Sequence, residues 1–403
     1  MLIHRKKNFS IKCILITIVS VTIYFPCFAQ VSIKDSLTPS SSKSIIVLQP
    51  QVHIGKLIKI YPEFPYSSYV NLNELNISFQ TRGRKEWHQL YRYPQVGVAF
   101  FYGYWGNDQV FGRNIGIVPN LAFETHNKKR WSLQTRFGLG FTYFTTHYNA
   151  INNPTNNVIG SKVTNLTFLT EDLNYKLSKQ ININVGISIF HSSDGHYQLP
   201  NLGANVPSLN IGIRYYLKPV PEFYKHDSVA KPNKKTMLNL FAGYGRHEYG
   251  NATKPTGGPK YPVFQLAIYA SKRYKKICNF HYGLSYAYYT DYYDYIINQE
   301  LFYSNERLNA SVITTFLGNE FIIGKFGLIA QSGINIHTPF LKKINSVKHD
   351  KEYASVYISN KIGVQYYFYN PTIKARHNIY IGIYMKANFG TADYAQIGVG
   401  TTF

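Results

Sequence analysis

His191 and Ser193 are residues that can carry out covalent chemistry, and they stand at the end of a row that otherwise holds only aliphatic side chains. The stretch reads "ININVGISIFHSSDGHYQLPNLGANVPSLNIGIRYYL". Side chains alternate along a strand, so Ile181, Ile183, Val185, Ile187 and Ile189 face one way, and His191 and Ser193 continue that row. The returning run places Leu209, Ile211, Ile213, Tyr215 and Leu217 in one row, and by the same parity Asn205 joins it, beside the end of the strand that bears Ser193. A serine hydroxyl becomes a good nucleophile when a neighbouring imidazole takes its proton, and a third polar group that holds the imidazole completes such a site. Asp194, Gly195, His196, Asn201 and Gly203 fill the turn between the two runs.

The rows themselves say where such a site would face. Residues 95–105, "QVGVAFFYGYW", put Val96, Val98, Phe100, Tyr102 and Tyr104 on one face and Gln95, Gly97, Ala99 and Gly103 on the other. The last strand behaves alike, with Ala395, Ile397, Val399 and Phe403 opposite Gln396, Gly398, Gly400 and Thr402. With 36 Tyr and 26 Phe, and no apolar run long enough for a spanning helix after the first 30 residues, the composition is that of an all-β transmembrane barrel. The aliphatic rows then face lipid, and a polar cluster among them is costly unless it serves a purpose. Residues 1–30 have a basic start, an apolar middle and a "CFAQ" close, the layout of a signal peptide cleaved near residue 29 or 30. Cys278 is the single cysteine left after cleavage, so an internal disulfide is excluded.

About sixteen antiparallel strands can be counted between residues 51 and 403, with fourteen as the alternative count. Tight turns such as "LSKQ" (177–180) and "GK" (324–325) alternate with long connections, as in an up-and-down outer-membrane barrel. A basic, Pro- and Lys-rich connection, 219–235, separates a first half, 31–218, from a second half, 236–403, that ends in a C-terminal Phe. The expectation is one barrel of 14–16 strands, with two eight-stranded units as the alternative. If the N-terminus is periplasmic, the strand ending at Ser193 runs outward, and the polar cluster lies at the outer leaflet.

The formal charge of +23, about +19 once four basic residues of the leader are removed, attracts polyanions. At the surface of a Gram-negative cell that polyanion is lipopolysaccharide, whereas the leader and the strand pattern argue against nucleic acid. The sequence here resembles a known family, the outer-membrane lipid A 3-O-deacylases (PagL-like), also called acyloxyacyl hydrolases. Its pattern is His-x-Ser-Asn on a lipid-facing strand followed by Pro-Asn-x-Gly-x-Glu, and this chain has "HSSDG" and "PNLGAN". The resemblance covers roughly residues 50–218, with "NPTNNVIG" upstream, and nothing comparable covers 236–403.

The resemblance implies that His191 is the general base, Ser193 the nucleophile and Asn205 the third member, with Asp194, Gly195, Asn201 and Gly203 in the oxyanion or turn element. It implies hydrolysis of the 3-O-linked acyl chain of lipid A, without cofactor or metal, in the cell outer membrane, after insertion by the barrel-assembly machinery. Two positions depart from the pattern: Asn205 replaces an acidic residue and Asp194 an asparagine. An asparagine can orient an imidazole but supplies no charge, and a carboxylate at 194 would repel an oxyanion. A catalytically degenerate lipopolysaccharide-binding barrel and a channel remain as other readings, and the oligomeric state stays open.

Other residues suggest less. His126 in a tight turn and Trp87 with His88 in a connection are expected to be solvent or interfacial groups. Tyr102, Tyr104 and Trp105 suggest an interfacial aromatic belt. Lys342, Lys343, Lys348 and Lys351 lie in an expected outer loop that could meet phosphates.

Overall fold

Alternation of large apolar and small or polar residues gives a strand two unlike faces, and closing eight such strands on themselves leaves no unpaired edge. The computed structural model describes residues 45–59, 62–128, 130–219, 235–250, 258–275, 277–348 and 353–403. The expected signal peptide, nearly all of the connection 219–235, and the side chains of His126, Lys348 and Lys351 lie outside the described residues.

Sixteen strands form two closed antiparallel barrels. The first comprises β1 (Ile45–Lys56), β2 (Tyr69–Gln80), β3 (Gln95–Tyr104), β4 (Arg113–Lys128), β5 (Trp131–Phe144), β6 (Val163–Lys176), β7 (Ile181–Ser193) and β8 (Ala204–Tyr216). The second comprises β9 (Thr236–Glu248), β10 (Lys260–Lys275), β11 (Cys278–Tyr289), β12 (Ser311–Ile323), β13 (Phe326–His337), β14 (Ile358–Tyr367), β15 (Asn378–Asn388) and β16 (Thr391–Thr402). Short helices sit in the connections: α1 (Glu86–Leu90), α2 (Thr290–Asn298), α3 (Glu306–Asn309), α4 (Pro339–Lys348) and α5 (Tyr353–Tyr357).

The all-β barrel class and the count of sixteen agree with the sequence, but the single barrel gives way to its alternative of two eights. The reason lies in the closures. β8 pairs back to β1, with Val47 opposite Tyr216 and Ile54 opposite Leu209. β16 pairs back to β9, with Val399 opposite Ala242. Each edge is satisfied within its own half, and neither closure leaves a local trace in the alternation. Outward rows are apolar and exposed, as in Ile181, Ile183, Val185 and Ile187, the surface a bilayer-embedded barrel needs.

Both interiors are filled by side chains, as expected for eight strands. In the first barrel Arg136 donates to both carboxylate oxygens of Glu74 and, at 2.6 Å, to Gln51 Oε1. His53 lies 2.8 Å from the same carboxylate and 3.1 Å from Ser188 Oγ. Next to this network Phe101, Phe168 and Phe190 pack with ring centroids 5.6–5.9 Å apart. In the second barrel Glu320 accepts from Asn279 Nδ2 at 2.8 Å and from Tyr367 at 2.7 Å, and Tyr269 meets Tyr380 hydroxyl to hydroxyl at 2.6 Å. One end is covered where Tyr292 of α2 stacks on Phe340 of α4, 4.2 Å between ring centres.

Two expectations about single residues change. Tyr102 and Tyr104 do face outward, but Trp105 has the opposite parity and is fully buried, its ring against Phe144 and its Nε1 donating to Asn114 Oδ1 at 2.8 Å. His88 is buried in α1, edge-on to Trp87, rather than a solvent group, because the connection folds against the barrel. Lys342 and Lys343 do lie in the connection between β13 and β14, on helix α4, with Lys342 over the Tyr357 ring at 5.3 Å.

Candidate functional site

The site forms where β6, β7 and β8 end together. His191 pairs directly with Asn205 across the β7–β8 ladder, and Ser193 pairs with Asn165 across the β6–β7 ladder. Alternation puts Phe190 and Ser192 inside, where Ser192 Oγ meets Thr164 Oγ1 at 2.6 Å and donates to the Asn165 carbonyl at 2.9 Å. These inward ties hold β7 in register to its last residue, so the row of His191 and Ser193 faces outward without fraying. The parity read from sequence is correct. Asn205 stands opposite His191 rather than beside the end that bears Ser193, a one-step refinement that only the register supplies.

His191 Nδ1 lies 2.9 Å from Asn205 Oδ1. An amide oxygen only accepts, so Nδ1 carries the proton and Nε2 is left with a lone pair, the tautomer a general base needs. Ser193 is only 6 % exposed and Asn205 4 %, although both belong to outward rows. The turn 194–203 folds back over them. Within it the Gly195 N–H donates to Ser193 Oγ at 3.2 Å. Among the described residues Ser193 Oγ and His191 are not hydrogen-bonded to each other, a contact that commonly tightens only with substrate in place.

A segment remote in sequence holds the turn. Leu202 and Gly203 donate their backbone N–H groups to Asn157 O at 3.1 Å and Val158 O at 3.2 Å. That supporting loop is the "NPTNNVIG" stretch, pinned by Asn156, whose Nδ2 donates to Val110 O at 2.8 Å and whose Oδ1 accepts from Ile159 N at 3.1 Å. Asn201 is buried in the turn and its Oδ1 has no partner. The half-buried Asp194 lies near Gly160, where an added Cβ would come within 3.2 Å of its Oδ2.

Gly203 lies directly against the His191 and Ser193 side chains. Its φ is +71°, and a Cβ there would stand 3.3 Å from His191 Cε1 and 3.4 Å from Ser193 Cβ. Gly203→Ala therefore combines left-handed backbone strain, about 1–2 kcal/mol, with pressure on both side chains. The expected outcome is a folded barrel with a lower unfolding midpoint and at least a tenfold weaker hydrolytic rate, a displacement effect. Unfolding in detergent and a rate assay on the same sample check it.

Sequence reasoning missed Asn165. Its signal was present, since "VTNLTFL" places Asn165 in the outward row between Val163 and Thr167, but only pairing shows that it adjoins Ser193.

Fold and site together define a class: a membrane β-barrel whose outward wall carries a histidine oriented by an amide, with a serine beside it. Residues 73–214 match the family described as "Lipid A 3-O-deacylase (PagL)", and residues 236–403 match "Acyloxyacyl hydrolase, C-terminal domain". Between them the two matches take in most of the chain, one on each barrel, so each half of the chain is similar to a PagL-type family. The second match falls where the sequence had shown no resemblance.

Among solved structures, the crystal structure of the outer membrane enzyme PagL is 16 % identical over 41 % of this chain and 97 % of its own, with a TM-score of 0.30. A Rhodopseudomonas blastica porin variant is 9 % identical over 90 % of this chain and 100 % of its own, with a TM-score of 0.18. CdiB from Acinetobacter baumannii is 7 % identical over 89 % of this chain and 60 % of its own, with a TM-score of 0.19. With scores this low the fold rests on the strand pairing. No curated protein matches the chain.

Proposed function

We propose that the first barrel is a lipid A deacylase of the outer membrane that cleaves a 3-O-linked hydroxyacyl ester by a serine mechanism on its lipid-facing wall. The observation that carries this is the 2.9 Å contact between His191 Nδ1 and Asn205 Oδ1, which leaves Nε2 as the base beside Ser193 on the outward row. An ester in the outer leaflet reaches this wall by lateral diffusion, without entering the lumen.

In the reaction Ser193 Oγ adds to the ester carbonyl carbon while His191 Nε2 takes the hydroxyl proton. The bond from that carbon to the sugar oxygen then breaks, His191 returns the proton to the departing oxygen, and the acyl group stays on Ser193. Water, deprotonated by the same imidazole, releases the 3-hydroxy fatty acid and restores the serine. Asn205 keeps the imidazole in the right tautomer throughout. Gly195 N–H, already aimed at Ser193 Oγ, is positioned to follow the charge onto the carbonyl oxygen. Asn201 and Gly203 shape the turn that encloses the reacting centre. The channel reading has little support, since Arg136, Glu74 and the three phenylalanines fill the interior.

The test is mass spectrometry of lipid A incubated with the purified chain in mixed micelles. Loss of one hydroxyacyl mass with release of the free acid is expected, and intact lipid A alongside ion conductance in planar bilayers would overturn the proposal. Asn205→Glu adds the missing charge opposite the imidazolium that forms. A hydrogen bond to a charged group is stronger than a neutral one by about 1–1.5 kcal/mol, so kcat should rise roughly tenfold. Side-by-side rates on lipid A check this, and no gain would mean that the amide already serves as well as a carboxylate.

A further inference from the structure

We infer that Asn165 is a catalytic residue of the same site, the side-chain donor that binds the oxyanion from the β6 side. The inference rests on the hydrolase reading of Ser193. Addition of Ser193 to an ester moves negative charge onto the carbonyl oxygen, and that oxygen needs preorganised donors about 3 Å away. The nearby backbone donor is Gly195 N–H, which points at Ser193 Oγ at 3.2 Å. The side chain next to the nucleophile, Asp194, is a carboxylate when ionised and repels the charge instead.

Asn165 is placed to make good that loss. It is the direct cross-strand partner of Ser193, so the two Cβ atoms stand roughly 5 Å apart on one face. Its main chain is held by the 2.9 Å bond from Ser192 Oγ, which fixes where the side chain starts. The amide itself is uncommitted: Oδ1 is buried without a hydrogen-bond partner. Rotation about the broad terminal torsion of an asparagine turns the NH2 end to that position at little cost. Asn205 and Asn165 then flank β7 from its two neighbours: Asn205 holds the base His191 from β8, and Asn165 adjoins Ser193 from β6. An ester carbonyl above Ser193 would have its carbon toward the hydroxyl and its oxygen toward Asn165. Before addition this oxygen carries little charge, so the contact strengthens only as the tetrahedral intermediate forms.

The experiment measures kcat and KM for fatty acid release from lipid A by the purified full chain and by Asn165→Ala, Asn165→Asp and Ser193→Ala, each shown to be folded by its heat-modifiable migration in gels. Asn165→Ala should lower kcat by about 10²–10³-fold while KM stays within threefold. Asn165→Asp, equal in size but lacking the donor, should lose at least as much, and it decides the matter if the alanine variant fails to fold. A kcat within threefold of wild type, or a loss confined to KM, would overturn the role of Asn165 while leaving the hydrolase intact. A wild-type chain that releases no acid, or a Ser193→Ala variant as active as wild type, would overturn the hydrolase reading and this inference with it.

Discussion

Ser193→Ala is expected to leave the first barrel assembled and to lower hydroxyacyl release by a factor on the order of 10⁴ or more, the scale seen when a serine nucleophile is deleted. The side chain is 6 % exposed and, among the described residues, its one hydrogen bond is the 3.2 Å contact from Gly195 N–H, a bond within its own turn. Removing it takes away no cross-strand tie, since the inward neighbour Ser192 holds β7 to β6. Its loss therefore separates chemistry from folding. Mass spectrometry of lipid A from cells producing equal amounts of the two proteins reads the result. Equal activity would sink the serine mechanism, whereas a loss of folded protein from the membrane would show that the turn 194–203 depends on this hydroxyl.

Arg136→Ala acts the other way, on stability rather than chemistry, and should destabilise the first barrel by about 3–5 kcal/mol. Arg136 and Glu74 are both fully buried, the guanidinium bridges both carboxylate oxygens, and the same group reaches Gln51 Oε1. Truncation leaves the Glu74 carboxylate facing only His53 in a lumen without solvent access, and the desolvation that the arginine offset is exposed in full. The double replacement Glu74→Leu with Arg136→Met removes both charges and should recover most of the loss. Urea titrations of the barrel folded in lipid vesicles give both values. A single variant that unfolds at the wild-type midpoint would mean that the pair is already neutralised by the rest of the network.

The strands were legible because each rule involved is local. Period two along "QVGVAFFYGY" separates the two faces without knowledge of any partner, and the same rule carries His191 and Ser193 onto the outward wall. Trp105, expected in the aromatic belt with Tyr102 and Tyr104, has the opposite parity to both and turns inward. The resemblance in "HSSDG" and "PNLGAN" points to a candidate site, yet it could not show what holds the turn, since Asn156 and Val158 act from a loop some 45 residues upstream.

What the sequence by itself determined is therefore the all-β class, the face of every well-patterned strand, and the outward row in which His191 and Ser193 stand. Tertiary structure decided the rest: that sixteen strands close as two barrels of eight, that Asn205 meets His191 at 2.9 Å, and that Asn165 adjoins Ser193. Alternation depends on the geometry of one strand, and any chain segment reports it. Closure and register depend on which distant backbone edges satisfy each other's hydrogen bonds, as β1 does with β8, and that choice is made by the whole barrel at once.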